Sequence, residues 1–289
     1  MSKPSTVLVT GASGKTGRRI IHQLTEKGHT VIAATRSAKG NQYVQFDWLD
    51  NTTYDIVFKK RIDSAYLLAP AGVFDLLSAM QPFIDRLIEE NVKRIILLSA
   101  SSLEKGGPMM GTVHAYLEEH APSWIVLRPT WFMQNFSEQH HVQSIREENA
   151  IYSATQDGKV AFISADDIAA VAAVALTSPS LPNGDYILTG AEALSYDEVA
   201  RIISNTIGRT ITHRKLSFKE LAKRYEHQGL PPEYAGTLAA MDVNIAKGTE
   251  ARITGIVQNI TGRQPIDFQS FAKNAVDAWF ADNNKEGMN

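Results

Sequence analysis

The chain has 289 residues, 44% of them hydrophobic and 21% charged, an ordinary globular composition that excludes global disorder. Its 29 Lys and Arg residues against 31 Asp and Glu residues give a net charge of −2, which argues against a nucleic-acid partner because such binding needs a basic face. The chain contains no cysteine, so disulfides, thiolate nucleophiles and cysteine-bound metals are excluded.

Nothing in the sequence predicts a membrane or secretory protein. The longest apolar run, Ile168 to Leu176, is far shorter than the ~20 residues that a membrane helix needs. The N-terminus leads directly into an apolar strand without a signal-peptide pattern. We therefore expect a cytoplasmic protein with no membrane partner, present as a monomer or homodimer, that acts on a small-molecule substrate.

The first half of the chain alternates strand and helix patterns. A first helix is expected to be capped by Ser13 and to end at Gly28, and a long amphipathic helix runs from Val73 to Ile88. Apolar strands that alternate with helices predict a parallel sheet covered on both faces. The predicted strands are Thr6–Thr10, Thr30–Ala34, Tyr43–Phe46, Ala65–Ala69, Arg94–Leu98 and Trp124–Arg128.

The pattern changes after Pro129. Residues 131–165 are rich in aromatics and amides and predict an irregular excursion. An Ala-rich helix then covers Asp166–Thr177, and Asp185–Leu188 predicts a seventh strand. The remainder is predicted to be mostly helical, with a break at Pro231-Pro232 and a terminal helix over Asp267–Trp279.

The turn after the first strand has the spacing G-x-x-G-x-x-G. Such a turn brings backbone N–H groups and a helix N-terminus close to a diphosphate, and its last glycine lets the helix pack on the strand. The turn lacks the Gly-Lys-Ser/Thr ending of a P-loop, and its strand–turn–helix context favours dinucleotide binding over a purely structural turn. The predicted binding residues are Gly11, Ser13, Gly14, Lys15, Thr16 and Gly17.

The end of the second strand favours NADP(H) over NAD(H), which stays open as the alternative. An NAD site places a carboxylate there for the ribose 2′-OH, but no Asp or Glu occurs from Lys27 through Phe46. Arg36 instead supplies a planar cation for a 2′-phosphate, with help from Lys39 or Lys15, unless it is only a surface arginine. Asp47, after the third strand, is a candidate acceptor for the adenine amino group or a solvated loop residue.

Further candidates follow the fourth and fifth strands, whose carboxyl ends face the ligand in open α/β sheets. Ala69 and Pro70 are expected to pass close to the cofactor through their backbone, and Ser99 is expected to contact it. Ser101 is a candidate hydrogen-bonding partner of the substrate or the nicotinamide ribose. Its alternative interpretation is a helix cap or turn residue.

His114 and Tyr116 are candidate pocket residues on a predicted helix. Because a helix turns by ~100° per residue, their side chains point to different sides, one toward the pocket and the other toward solvent. A helical histidine is also commonly structural, so the catalytic residue stays unknown among His114, Tyr116 and Ser101. Adjacent His140 and His141 diverge and have no acidic cluster beside them, so we expect no metal site.

The aromatic residues after the sixth strand have two interpretations. Trp131 and Phe132, with Asn135 among them, would line an apolar pocket with a few polar groups, as an organic acceptor requires. The alternative is that these aromatics belong to the core. Arg128 is interpreted as structural.

Several of these motifs together resemble a known family. The glycine-rich turn, Thr35-Arg36 and Leu127–Asn135 are similar to the NmrA-like branch of the atypical short-chain dehydrogenases. Val113–Leu117 and Ile151–Ile168 resemble most closely the ergot-alkaloid group, the festuclavine and agroclavine dehydrogenases. The resemblance covers most of the chain. It implies an NADP-type Rossmann fold and hydride transfer to an organic acceptor, without fixing the substrate.

The chain departs from standard short-chain dehydrogenases at their Tyr-x-x-x-Lys motif. None of its nine tyrosines has Lys four residues later, and Tyr116 has His120 there. A carbonyl acceptor needs a proton donor as hydride arrives, whereas an iminium acceptor does not. The sequence therefore predicts an NADPH-dependent reductase of iminium, conjugated C=C, quinone or azo acceptors. The alternative is a non-catalytic NADP(H)-sensing regulatory protein.

Together these patterns predict an α/β fold, a Rossmann-type doubly wound parallel sheet with a smaller, mainly helical C-terminal cap. Residues 1–165 are assigned to an NAD(P)-binding core that includes the pocket-lining excursion. Residues 166–289 are assigned to the remaining core helix and strand plus a helical substrate cap. We expect the two parts to form one integrated unit.

Overall fold

The computed structural model describes residues 4–38, 40, 42–139 and 141–280, so Lys39 and His140 lie outside the described residues. The strands, in chain order, are β1 (Thr6–Thr10), β2 (Thr30–Thr35), β3 (Tyr43–Gln45), β4 (Ser64–Leu68), β5 (Arg94–Leu98), β6 (Trp124–Pro129), β7 (Ala150–Ser153), β8 (Lys159–Val160), β9 (Gly184–Leu188), β10 (Leu194–Ser195) and β11 (Thr212–Lys215). The helices are α1 (Lys15–Glu26), α2 (Leu76–Glu89), α3 (Met110–His120), α4 (Val142–Glu147), α5 (Ala165–Thr177), α6 (Tyr196–Ile207), α7 (Phe218–His227), α8 (Pro232–Ala246), α9 (Ile256–Thr261) and α10 (Phe268–Asn274).

These elements form two compact units whose segments interleave along the chain. The first unit comprises the chain up to Pro129 together with Ala165–Leu188 and Thr254–Gln264. The second comprises Thr130–Ser164, Thr189–Ile253 and the chain from Pro265 on. The functional division of the chain at residue 165 stays a prediction.

The first unit is built on a seven-stranded parallel sheet in the order β3-β2-β1-β4-β5-β6-β9. Side chains alternate between its two faces, as the strand period requires. Ala65 and Leu67 of β4 join the core under α2 and α3, whereas Tyr66 meets Thr16 of α1 on the other face. This confirms the predicted Rossmann-type doubly wound sheet and all seven of its strands.

The strand order reverses direction between β1 and β4, which are neighbours in the sheet. In open α/β sheets a ligand binds at such a switch point, outside the carboxyl ends of the strands. The glycine turn leaves the carboxyl end of β1, so the fold itself places it at this point.

The second unit contains more regular structure than the sequence patterns indicate. The prediction of an irregular excursion over residues 131–165 is wrong, because α4, β7 and β8 lie there. Strand β7 pairs in parallel with β11, and β8 pairs with β10 in antiparallel fashion. The predicted break at Pro231-Pro232 is confirmed by the start of α8, and the predicted terminal helix divides into α10 and a 3-10 turn over Val276–Trp279.

Candidate functional site

The glycine turn is packed so tightly that two of its three glycines admit no side chain. Gly11 has a φ of +61°, and a Cβ there would lie 2.4 Å from the Leu68 side chain. A Cβ at Gly17 would lie 2.3 Å from the carbonyl oxygen of Gly11. At Gly14, with a φ of −76°, the closest approach would be 3.1 Å. The turn is thus a compact cradle in which Gly14 alone leaves room for a small side chain.

Two other residues of the turn, Ser13 and Thr16, contact neighbouring hydroxyl groups through their side chains. The prediction that Ser13 caps α1 is wrong: the N-cap is Gly14, and the Ser13 hydroxyl lies 3.2 Å from that of Thr35. Thr16 is buried, and its hydroxyl accepts a hydrogen bond from Tyr66 at 2.9 Å, so only its backbone faces the turn. Lys15 begins α1 and is half-buried. The first turn of α1 carries no acid, which suits an anion at this helix N-terminus.

Arg36 lies immediately after β2, at the same edge of the sheet as the glycine turn. Its side chain is exposed and makes no ion pair or hydrogen bond with any described residue, while its carbonyl oxygen accepts from Gln45. Asp47 follows β3 and is half-buried. One of its carboxylate oxygens accepts from the backbone N–H of Leu49 at 3.0 Å, so part of its hydrogen-bonding capacity is used locally.

The carboxyl ends of β4 and β5 present the predicted backbone and hydroxyl groups. Ala69 and Pro70 follow Leu68, which lies under Gly11 and accepts a hydrogen bond from the indole N–H of Trp48 at 3.0 Å. Ser99 is buried at the end of β5, and its Oγ has no hydrogen-bond partner in the described part of the chain. A buried hydroxyl without a partner is costly, so Ser99 is a group that a ligand can satisfy.

The three catalytic candidates have different environments. Ser101 is buried, and its backbone N–H donates to Pro129 at 2.9 Å. His114 is buried beside the Trp124 ring, and burial lowers the pKa of its imidazole. The Tyr116 hydroxyl donates to Asp85 of α2. Burial and this hydrogen bond raise the pKa of Tyr116 to about 12.

The two helical candidates therefore diverge as their spacing predicts, but neither is set up as an acid. Neutral His114 has no partner for Nδ1 among the described residues. The Tyr116 hydroxyl already donates its hydrogen bond to the Asp85 carboxylate. The sequence missed this partnership, because Asp85 and Tyr116 are 31 residues apart and no local pattern joins them.

Arg128 is structural, as interpreted from the sequence. Its guanidinium donates to Glu104 and Asp185 at 2.6 Å each and to the carbonyl oxygen of Ser101 at 2.9 Å. It thereby ties the connection after β5 to β6 and β9. Its pairing with two carboxylates offsets the cost of burying the charge.

In the second unit, the aromatic segment divides into core and partly exposed residues. Met133 and Phe136 are buried in its hydrophobic core. Trp131, Phe132 and Asn135 are half-buried, and Trp131 accepts a backbone hydrogen bond from Ile163. A parallel β-bridge between Phe132 and Ile163 and a 3-10 turn over Met133–Asn135 fix the backbone of the segment. Pocket lining by the three half-buried residues stays a prediction.

A buried polar network in the second unit was not predicted. The Ser153 hydroxyl lies 2.8 Å from Nε2 of His213, whose Nδ1 lies 3.3 Å from Asp197. Ser153 and the His213 side chain are fully buried, and burial lowers the pKa of His213. Within the described ranges, no group of three or more His, Asp or Glu residues could hold a metal ion.

Comparison with known proteins places the chain in a family. The profile of the NmrA-like family matches residues 112–272, and an NAD(P)H-binding profile matches residues 11–179. Agroclavine dehydrogenase of Claviceps fusiformis is 40% identical over 285 residues, covering 95% of this chain and 98% of the relative.

Two solved structures share the fold at lower identity. Triphenylmethane reductase of Citrobacter sp., complexed with NADP(H), has a TM-score of 0.79 at 22% identity, covering 93% of this chain and 99% of that one. An NADPH-dependent quinone oxidoreductase of Escherichia coli, complexed with NADPH, has a TM-score of 0.79 at 21% identity with the same coverage.

The fold and the glycine turn define a Rossmann-type, NAD(P)-dependent oxidoreductase. The chain belongs to the NmrA-like family, and its 40% identity to agroclavine dehydrogenase confirms the resemblance to the ergot-alkaloid group. Of the two functions predicted from the sequence, these findings support the reductase. Among the helices that the structure describes, none is both long and apolar enough to cross a membrane.

Proposed function

We propose that the protein is an NADPH-dependent reductase of a small organic acceptor of the iminium, conjugated C=C, quinone or azo type. The observation that carries this proposal is the exposed guanidinium of Arg36 at the carboxyl end of β2, without a partner among the described residues. It stands where an NAD site has a carboxylate, and a planar cation there matches a 2′-phosphate. NAD(H) stays the alternative cofactor.

The residues present fit a bound dinucleotide. Gly11 and Gly17 of the turn have no room for a Cβ, and such a compact backbone suits a close approach to a diphosphate. The unpartnered hydroxyl of Ser99 lies at the edge of the sheet where the nicotinamide end of such a ligand is expected. When bound, the nicotinamide supplies the hydride, and the protein supplies orientation and a dry environment.

The state of the candidate acids favours the iminium class among the proposed acceptors. Tyr116 donates to Asp85 and has its pKa raised to about 12, and burial keeps His114 neutral. An acceptor that already carries positive charge needs no proton from either of them. The relatives' names refer to agroclavine, a triphenylmethane compound and a quinone. A neutral acceptor such as a quinone takes up a proton as well as hydride, and solvent can supply that proton to the reduced anion.

The test is the cofactor preference of an Arg36 variant. Wild-type protein should bind NADPH more tightly than NADH in fluorescence titrations. Arg36→Ala should weaken NADPH by roughly ten- to a hundredfold, since a hydrogen bond to a charged group contributes about 1.5–3 kcal/mol. NADH affinity should change less than twofold. Arg61→Ala is the matched control, because Arg61 is also exposed but precedes β4 at the opposite edge of the sheet.

Equal wild-type affinities for NADPH and NADH would contradict the cofactor assignment. Turnover is measured as NADPH oxidation against a panel of iminium, enone, quinone, azo and aldehyde compounds. Tight NADPH binding without turnover on any class would favour the sensing function instead. A cytoplasmic location, a monomer or homodimer, and the absence of a nucleic-acid partner stay proposals beside this one.

A further inference from the structure

Large apolar side chains are exposed in the connections between strands and helices of the first unit. Among the described residues of the first unit they are Leu49, Ile56, Phe74 and Met109. Leu49 and Ile56 follow β3, at the far end of the sheet. Phe74 follows β4 and Met109 follows β5, so both stand beyond the switch point, on the nicotinamide side of the glycine turn.

Phe74 does not serve the helix that it precedes. It stands one residue before Asp75, the N-cap of α2, whose carboxylate accepts from the Ser78 backbone at 3.1 Å. A hydrophobic residue at this position commonly packs on the fourth helical residue, here Ala79. Phe74 is instead 71% exposed. Its phenyl ring is therefore free to contact a ligand.

Met109 is the N-cap residue of α3 and has a strained backbone. Its φ of 56° and ψ of −125° are rare for a side chain of this size. The connection around it is fixed, since Gly106 donates to Gly111 at 2.8 Å and the Thr112 hydroxyl donates to the Met109 carbonyl oxygen. Such strain is concentrated at ligand-binding sites, and Met109 is 39% exposed.

The hydrogen bond between Asp85 and Tyr116 sets the relative position of these two residues. Phe74 precedes Asp85 by 11 residues, and Met109 precedes Tyr116 by seven. At about 1.5 Å per residue they stand about 16 Å and about 10 Å from that bond along adjacent helices. Packed helices are about 8–10 Å apart, and the difference of about 6 Å along the axes then gives about 11 Å between the backbones of Phe74 and Met109. This span matches a planar acceptor of two or three rings.

We propose that Phe74 and Met109 form the apolar contact surface for the acceptor and select acceptors with several rings over those with one. The inference rests on the proposed reductase function. Covering about 60 Å² of apolar surface at about 25 cal/mol per Å² corresponds to about a tenfold change in affinity. Loss of the Phe74 ring should therefore appear in KM and leave kcat nearly unchanged.

The experiment compares menadione, which has two fused rings, with 1,4-benzoquinone, which has one. Phe74→Ser should raise the KM for menadione about tenfold, with kcat and the Kd of NADPH within twofold of wild type. The KM for benzoquinone should rise less than threefold, and Phe74→Leu should restore most of the affinity for menadione. Leu49→Ser is the control, because Leu49 is as exposed at the same edge but three strands away. Met109→Ala should raise the KM for menadione by a smaller factor.

An unchanged KM for menadione, or equal increases for both quinones, would overturn the inference. If the wild type reduces neither quinone, the proposed reduction of quinones is wrong. The contact surface is then tested by measuring the binding of menadione instead. The Kd of menadione is then taken from tryptophan quenching with NADP⁺ present, and equal values for wild type and Phe74→Ser overturn the inference. A dimer that Phe74→Ser converts to a monomer with unchanged KM would instead assign the surface to a subunit contact.

Discussion

Two sets of polar groups, one in each unit of the chain, differ in whether they have partners within the protein. In the first unit, the groups proposed to bind the cofactor are at strand ends, and Arg36 and Ser99 have no side-chain partner among the described residues. In the second unit, Ser153 and His213 bond to each other inside the fold. Ser99 thus has a buried hydroxyl open to a ligand's hydrogen bond, whereas Ser153 and Nε2 of His213 satisfy each other, and Nδ1 of His213 lies 3.3 Å from Asp197 without a hydrogen bond among the described residues.

This comparison predicts that variants at the unpartnered strand ends change ligand binding, whereas variants of groups that contact each other within the protein change stability. The largest effect is expected at the glycine turn. Gly14→Val should reduce NADPH affinity more than a hundredfold, because its side chain would occupy the approach of the diphosphate. The fold should persist, since any residue can adopt the φ of −76° at Gly14 and a Cβ there, 3.1 Å from the Gly11 carbonyl oxygen, requires a shift of only about a few tenths of an ångström.

Gly17→Val is the matched variant, and it should lose the fold along with binding. Its Cβ would lie 2.3 Å from the carbonyl oxygen of Gly11 and 2.9 Å from Cα of Ala12. Circular dichroism and NADPH titration of both variants measure the difference. A folded Gly14→Val protein that binds NADPH normally would show that the turn is only structural.

The second prediction concerns Asp242, a buried carboxyl group of the second unit. It lies on α8 and accepts from the backbone N–H of Ala154 at 2.9 Å. Tyr196 of α6 and Tyr225 of α7 face it, and burial raises the pKa of Asp242 from 3.8 to about 7. Between about pH 4 and pH 7 the unfolded chain loses this proton while the folded protein keeps it. The stability that protonated Asp242 contributes below pH 4 is therefore lost as the pH rises from 4 to 7. Above about pH 7 both states have lost the proton, and stability falls no further on this account.

Asp242→Asn keeps an acceptor for Ala154 and removes the ionisation. Since one pKa unit corresponds to about 1.4 kcal/mol, the variant should gain up to about 4 kcal/mol over wild type between pH 4 and pH 8. Thermal unfolding of both proteins across this range measures it. Asp157→Asn is the control, because Lys215 lowers the pKa of exposed Asp157 and reverses the sign. Parallel pH profiles for wild type and Asp242→Asn would contradict the prediction.

The same difference between the units explains how far the sequence could predict the structure. The strands of the large sheet are continuous apolar runs, and the glycine turn and Arg36 are recognised from neighbouring residues. Strand β11 reads Thr-His-Arg-Lys, and its one buried residue, His213, is a polar one. It pairs with β7, about 60 residues away, so no local period marks either strand.

The candidate site shows the same limit. The position of Arg36 follows from the strand that precedes it, whereas the roles of Phe74 and Tyr116 depend on how two helices pack. The sequence places Phe74 beside an apolar helical stripe, where it resembles a core residue. Only the exposure of its side chain in the structure shows that Phe74 is not one of the buried residues of that stripe.

The smallest effect is expected at Tyr116, where the sequence indicates a catalytic candidate and the structure shows a hydrogen bond within the protein. Tyr116→Phe should lower kcat less than tenfold with a cationic or quinone acceptor, far below the ~10²–10⁴ that loss of a general acid causes. The reason is that its hydroxyl donates to Asp85 and, with its pKa raised to about 12, stays protonated.

The Tyr116→Phe change should instead cost about 1 kcal/mol of stability, the usual contribution of one hydrogen bond. Steady-state kinetics from pH 6 to 9 and thermal unfolding measure both effects. Tyr186→Phe is the matched control, because that hydroxyl donates to the Pro182 carbonyl oxygen, its one partner in the described part of the chain, and has no candidate role. A hundredfold loss of kcat in Tyr116→Phe, together with a preference of the wild type for aldehydes, would restore Tyr116 as the proton donor. Such a result would mean that Asp85 releases the hydroxyl when the acceptor binds.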